Sequence, residues 1–281
     1  VILMPIFINI SKDWRLSMPQ LPGVYQAKKK NGTIYYRSSL TYRAKHISLG
    51  SYGTPESAHE AYLLANRILQ DIAVGIGHYH SDSVLLFEKW VCLINFRDNG
   101  LYFSNPLYIR PSFFYYYFSP SHFFIFDKDD LFYYSNHKIS CRGGHYFVAD
   151  YGMQINIMNR YGIKNYAVLN KDYRFINGNT NDFRYENIEI LNAYHGVSAF
   201  RRKGELLYKA KIHIRGNYTI GVYRTEEEAA IAYNKAIDLL KKAGVKKAYT
   251  PNYMEGMSPA VYADLYTAIS VSPKIEHYLS E

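Results

Sequence analysis

Lys209, Lys211 and His213 alternate with Tyr208, Ala210, Ile212 and Ile214. Successive side chains of a strand point to opposite faces, so this spacing gathers the basic groups on one face and the apolar groups on the other. Arg201 and Arg202 come just before them, across a turn at Gly204. A second basic group lies near the start of the chain: Lys28, Lys29 and Lys30, then Arg37 and His46. In that copy Tyr36, Ser38 and Leu40 are expected to face the core. Tyr35, Arg37 and Ser39, with His46 and Ser48 one strand over, are expected to face out. The chemistry such rows can do is to hold phosphates and reach base edges. The competing reading is a solvated face, since an antiparallel sheet can leave one side open to water.

The elements that position these residues repeat within the chain. From Gly23 the sequence reads GVYQAKKKNGTIYYRSSLTYRAKHISLGSYGTPESAHEAYLLANRIL. From Gly196 it reads GVSAFRRKGELLYKAKIHIRGNYTIGVYRTEEEAAIAYNKAIDLL. Both run Gly-Val, a basic stretch, a Gly turn, an alternating strand, a short turn, Gly-x-Tyr, Thr and a helix. In the second copy Thr225 and Glu228 have capping-box spacing. Ala229, Ala232, Tyr233, Ala236 and Leu240 then follow at helical spacing. In the first copy Thr54 is the cap and Pro55 takes the first helical position. There the stripe is Ala58, Ala61, Tyr62, Ala65 and Leu69. Each copy therefore predicts a three-stranded antiparallel sheet with one face under a helix and one face open.

Charge follows the repeat. The net charge is +9. Residues 196–250 hold 12 Lys/Arg against 5 Asp/Glu, residues 21–72 hold 7 against 3, and residues 73–195 balance. Localised positive charge of this kind is the footprint of a polyanion partner.

Both copies resemble the AP-two domain, the DNA-binding domain of ethylene-response factors. The resemblance rests on YKAKI (Tyr208 to Ile212) for its second strand, ISLGSY (Ile47 to Tyr52) for its third, and TEEEAAIAY (Thr225 to Tyr233) for its helix. It implies nucleic-acid contact through the open sheet face, by Lys28, Lys29, Lys30, Arg37 and His46 in one module and Arg201, Arg202, Lys209, Lys211 and His213 in the other. Tyr36 and Tyr208 stand where the family has a strand Trp. Several of its arginines are Lys, Ser or His here, and Lys does not offer the bidentate guanine contact of Arg.

Between the copies, residues 172–191 read DYRFINGNTNDFRYENIEIL. This resembles the core of HNH homing endonucleases, of the form DHIDGNxLNNRxENLRL, in proteins that often carry AP-two domains. Ile176, Gly178, Asn179, Arg184, Glu186 and Asn187 are shared with it. The resemblance implies a ββα unit in which a His is general base and an acidic residue or His binds a divalent metal beside it. Phe175 holds the base position here and Arg174 the metal-ligand position, while Asn187 survives at the far ligand position. Phe cannot accept a proton and Arg repels a cation, so no cleavage and no cofactor are expected. Mg²⁺ enters only for a site rebuilt from Asp172, Tyr173 and His145. Strand positions held by hydrogen bonds are the plainer reading of His122, His137 and His145.

The expected fold class is α+β, two sheet-plus-helix modules flanking a degenerate ββα region. The expected segments are an N-terminal extension (1–20), module 1 (21–72), an aromatic-rich insert (73–125), the HNH-like region (126–192), module 2 (193–250), and a C-terminal helix and tail (251–281). In the insert, residues 83–96 predict a buried apolar element. The aromatics of 102–126 read as core or as a surface for a large partner or unpaired bases. Residues 258–270 predict a Ser-capped helix with Val261, Leu265 and Ile269 on one stripe. Cys92 and Cys141 are too few and too far apart for a disulfide framework or zinc site, so a reducing compartment is expected. No signal peptide and no membrane span is read, and a soluble protein is expected. The wealth of Tyr, Phe, Ile, Asn and Lys suits an AT-rich genome of a phage, organelle or microbe. The expected partner is double-stranded DNA or structured RNA. The rivals are a structural component of a large ribonucleoprotein such as an organellar ribosome, an active metal-dependent endonuclease, and a transcriptional regulator using both modules on adjacent sites.

Overall fold

Alternating residues build the first three strands of this computed structural model, which describes residues 21–278. The expected N-terminal extension, 1–20, lies outside the described residues. Strands β1 (Val24–Lys28), β2 (Ile34–Tyr42) and β3 (Lys45–Tyr52) pair antiparallel in chain order. A bulge between Ser38 and Ser39 shifts the β2–β3 register. Thr54 then caps helix α1 (Pro55–Gln70), its hydroxyl accepting the Ser57 N–H. Ala58, Ala61 and Ala65 are fully buried, and such small side chains let the helix lie close on the sheet.

The apolar element read at 83–96 is helix α2 (Phe87–Asn99). It buries Phe87, Trp90 and every residue from Val91 to Phe96. A helix apolar nearly all round must be covered on more than one side. Its Trp90, Leu93, Ile94 and Phe96 join Ala61, Ala65, Ile68 and Leu69 of α1 in one core with Leu40, Ile47 and Leu49 of the sheet. The insert therefore closes the first module.

The chain divides into two compact units. The first holds the described residues up to Ile109 together with Tyr117–Phe123; the second holds Arg110–Tyr116 and the described residues from Phe124 onward. Strands β4 (Leu107–Ile109), β5 (Phe113–Ser119) and β6 (His122–Asp127) lie along this passage. In the second unit Phe114, Tyr116, Phe124 and Phe126 are buried. Phe126 stacks on Tyr134 at 4.2 Å, in helix α3 (Leu131–Asn136), and lies 5.6 Å from Phe183. These four aromatics are core and offer no docking surface.

Strands β7 (Ile139–Arg142), β8 (His145–Asp150) and β9 (Met153–Asn156) form an antiparallel sheet. Strands β10 (Tyr173–Phe175) and β11 (Ile188–Ile190) form a hairpin. Strands β12 (Val197–Arg202), β13 (Glu205–His213) and β14 (Asn217–Tyr223) form another three-stranded sheet, followed by helix α4 (Glu226–Lys242). The expected ββα unit does not form, because no helix follows the hairpin. Only residues 191–196 separate β11 from β12, and four of their amides are already committed. Leu191 and Asn192 donate to the Asp172 carbonyl, Ala193 to Glu226 Oε1 and His195 to Asn252 Oδ1.

Thr225 and Glu228 make the reciprocal capping box read from their spacing. Helices α5 (Pro259–Ala268) and α6 (Pro273–Glu276) pack on α4, with Met254, Ile269, Val271 and Ile275 in its core. Of the stripe read on α5, Leu265 is partly buried and Ile269 buried, but Val261 is exposed. The whole is a mixed α/β fold of several small antiparallel sheets and helices. Among the described residues no helix is long and apolar enough to cross a membrane.

Candidate nucleic-acid interface

Strand pairing assigns the two faces of the second module. Val197 opposite Ala210 is buried beneath α4, and so are Ala229 and Ala232 of that helix. Ala199 opposite Tyr208 and Arg201 opposite Leu206 share that side. The other side carries Ser198 opposite Lys209, Phe200 opposite Leu207 and Arg202 opposite Glu205. Alternation continues along β13, so Lys211 and His213 join Lys209 on the open face, opposite Thr219 and Asn217. Arg202, Lys211 and His213 are exposed and Lys209 is half-buried. Lys209 Nζ stands 4.8 Å from the Phe200 ring centroid, a cation–π contact that fixes the ammonium over the sheet. His213 Nδ1 lies 3.1 Å from Asn217 Oδ1.

Arg201 needs a correction. It is adjacent to Arg202 in sequence and therefore on the opposite face, where its Nη1 donates to the Gly204 carbonyl at 3.3 Å. It cannot act on a ligand lying on the open face beside Lys209.

The first module obeys the same geometry with a different set of side chains. Its open face holds Tyr25 and Arg37, Tyr35, Ser39 opposite Ser48, and Thr41 opposite His46. Arg37 Nη2 donates to the Tyr35 hydroxyl at 3.1 Å. Lys28 shares the parity of buried Val24 and so lies on the helix side; Lys29 and Lys30 are exposed at the β1–β2 turn. Of the five basic residues read there, only Arg37 and His46 share the open face. Ser39, expected to face out, is buried. Its N–H bonds the Gly23 carbonyl at 3.0 Å, the counterpart of Lys211 bonding Gly196 at 2.8 Å. A serine held this close to the sheet stays within it, whereas a lysine reaches out.

In the segment expected to be HNH-like, Arg174, Phe175 and Asn187 do not converge. Arg174 is exposed and pairs with Glu189 across the hairpin at 2.5 Å. Phe175 is buried against Tyr173 and Phe183. Asn187 is buried, with Oδ1 accepting the Asn177 N–H and Nδ2 donating to the Asp182 carbonyl, both at 2.8 Å. It ties the loop together. Burial pushes the Asp182 carboxyl up, but hydrogen bonds from Arg184 and Asn177 outweigh this and hold it below its ordinary value.

Asp172, Tyr173 and His145 do not form a replacement. Tyr173 is buried in the hairpin and His145 is exposed at the start of β8. Asp172 is buried, unlike Arg174, and accepts from the Val168 N–H and from Asn192 Nδ2. Among the described residues no group of three or more His, Cys, Asp or Glu could hold a metal ion. His137 is stacked on Tyr133 and bonded to its carbonyl; His122 stacks on Phe118.

Two open-face residues were missed from the sequence, Phe200 and Asn217. The Ser198, Phe200, Arg202 alternation carried the signal for the first. The bulge was also missed, although a Gly inside a strand marks one. Gly50 and Gly221 sit just beside the two bulges. The chain matches no family model, and comparison with curated proteins and with solved structures gives no match either.

Proposed function

We propose that this chain binds nucleic acid on the open face of β12–β14, with β1–β3 as a weaker second contact, and that it descends from an HNH homing endonuclease that no longer cuts. The observation that carries this is the row Arg202, Lys209, Lys211 and His213 on one face of a narrow sheet backed by a helix. Such a sheet has the width and twist to enter a DNA major groove or lie along folded RNA. The surplus of positive charge in the same segment agrees with it. Arg174, Phe175 and Asn187 all have structural partners instead of a shared site, which supports loss of the cutting chemistry.

The test is to crosslink the protein to nucleic acid in its native source at low salt and sequence what is recovered. Reads on a short duplex site support DNA recognition; reads from ribosomal or other structured RNA place the same face in a ribonucleoprotein. With the recovered partner, log Kd against log salt is expected to have a slope of about 3, as for three to four phosphates neutralised. Recovery of no nucleic acid, or a slope near zero, sinks the proposal. Nicking that requires Mg²⁺ and survives rigorous purification sinks the claim that cutting is lost.

A further inference from the structure

A cavity of about 330 Å³ lies where residues 192–196 turn into β12. Ser198, Lys211, His213 and Asn217 line it from the open face of the sheet. Lys171 and Asp172 line it from the hairpin, and Tyr166, Tyr194, Tyr233 and His195 give it aromatic walls. It is at the small end of ligand-pocket sizes, room for one compact group.

His195 is its unusual member. The ring meets Tyr166 edge-on at 4.4 Å and Tyr233 edge-on at 5.3 Å. Its backbone is held at both ends by Asn252, whose Oδ1 accepts the His195 N–H at 2.7 Å and whose Nδ2 donates to the His195 carbonyl at 3.0 Å. Yet His195 Nδ1 is buried without a hydrogen-bond partner, although the residue lines the cavity. Buried polar atoms in native proteins are nearly always paired, so the orphan marks a ring whose turn about its side-chain bond would bring Nδ1 to a ligand atom in the cavity. Burial also pushes the imidazole pKa down, which keeps the ring neutral and suited to a neutral partner.

The lining selects the ligand. Aromatic walls favour a flat ring, and the Asp172 carboxylate disfavours a phosphate in the interior while accepting from an N–H. Lys171 and Lys211 supply positive charge that suits the phosphate attached to such a ring. We infer that this cavity receives one unpaired base of the nucleic acid held on the open face, with His195 Nδ1 bonding the base edge. The inference rests on the nucleic-acid reading above. An unpaired base costs less to insert than one taken from a duplex.

The test uses a fully paired duplex and the same duplex with one bulged adenosine, each made as DNA and as RNA, with free adenosine monophosphate as a competitor. The bulged form of one of them is expected to bind about tenfold more tightly. His195→Phe keeps the aromatic packing and removes Nδ1; Tyr166→Ala opens one wall. Each is expected to reduce the preference to within about twofold and to leave the paired duplex unchanged. Equal binding of paired and bulged duplexes by the native protein overturns the base pocket and leaves the nucleic-acid reading standing. A preference that survives both substitutions also overturns it, as does competition by free nucleotide without any bulge preference. Binding of neither duplex overturns both readings.

Discussion

The two modules have the same skeleton and different open faces. Both open on Gly-Val, both place a bulge in the third strand opposite the same point of the central strand, and both bond that point to the carbonyl of the opening glycine. Both pack a helix tyrosine on that glycine, Tyr62 on Gly23 and Tyr233 on Gly196, at positive φ. Both pack a later helix against that helix and into the same core, α2 in the first case and α5 with α6 in the second. On the open face the pairing makes Arg37 equivalent to Lys209, Ser39 to Lys211 and Thr41 to His213. Packing geometry has been held and surface chemistry has diverged. The strength of any polyanion contact should therefore be unequal between two domains of equal architecture.

The largest effect should come from what they share. A Cβ on Gly23 would fall 2.1 Å from the Tyr62 ring, and one on Gly196 would fall 2.5 Å from Tyr233. Adding the cost of positive φ for a non-glycine residue, Gly23→Ala and Gly196→Ala should each lose about 3 kcal/mol or more in denaturant unfolding. A loss under about 1 kcal/mol at one site and not the other would show that the skeletons are less alike than their register.

The difference is sharpened by the faces. Lys209→Ala with Lys211→Ala should weaken binding of the recovered nucleic acid at least tenfold at low salt, and reduce the salt slope by about 2. Arg37→Ala with His46→Ala should cost no more than about threefold, because fewer charges face the ligand. Equal losses from the two pairs would break the comparison and make the modules equal partners.

The smallest effect is expected from pH. Module 2 has His195 before its opening glycine, where module 1 has Pro22. Burial lowers the His195 pKa in the folded state, against a raising influence from Asp172. The unfolded chain then binds the proton more readily, so stability is full above the ordinary imidazole value of about 6.5 and falls as pH drops below it. His195→Phe should remove that part of the acid-side loss. If the variant lost as much stability between pH 7 and 5.5 as the native protein does, His195 would be removed from the account.

Much of the skeleton was legible in the sequence because local rules enforce it. Alternation in Tyr208 to His213, the Thr225–Glu228 spacing and the alanine stripes each have one economical physical solution. The open face was legible only in part. Arg201 and Arg202 read as a pair by composition, and only the register separates them. Ser39 fails because its backbone hydrogen bond and short side chain matter more than its parity. The absent helix after the hairpin could have been anticipated, since residues 191–196 are too short to hold one. His195 was not legible at all: its orphaned nitrogen depends on Tyr166, Asp172 and Tyr233, which only the tertiary fold brings together.

The passage from β11 to β12 has a mechanical meaning. Leu191, Asn192, Ala193, His195, Ala199 and Lys211 all spend their amide protons on holding this joint, against Asp172, Glu226, Asn252, Asn192 and Gly196. A joint without slack behaves as a weld. Hairpin and sheet should open as one cooperative unit, and torque applied to the sheet by a stiff ligand is passed to the hairpin with little loss. The hairpin would then serve as the strut that holds the open face of the sheet at a fixed angle.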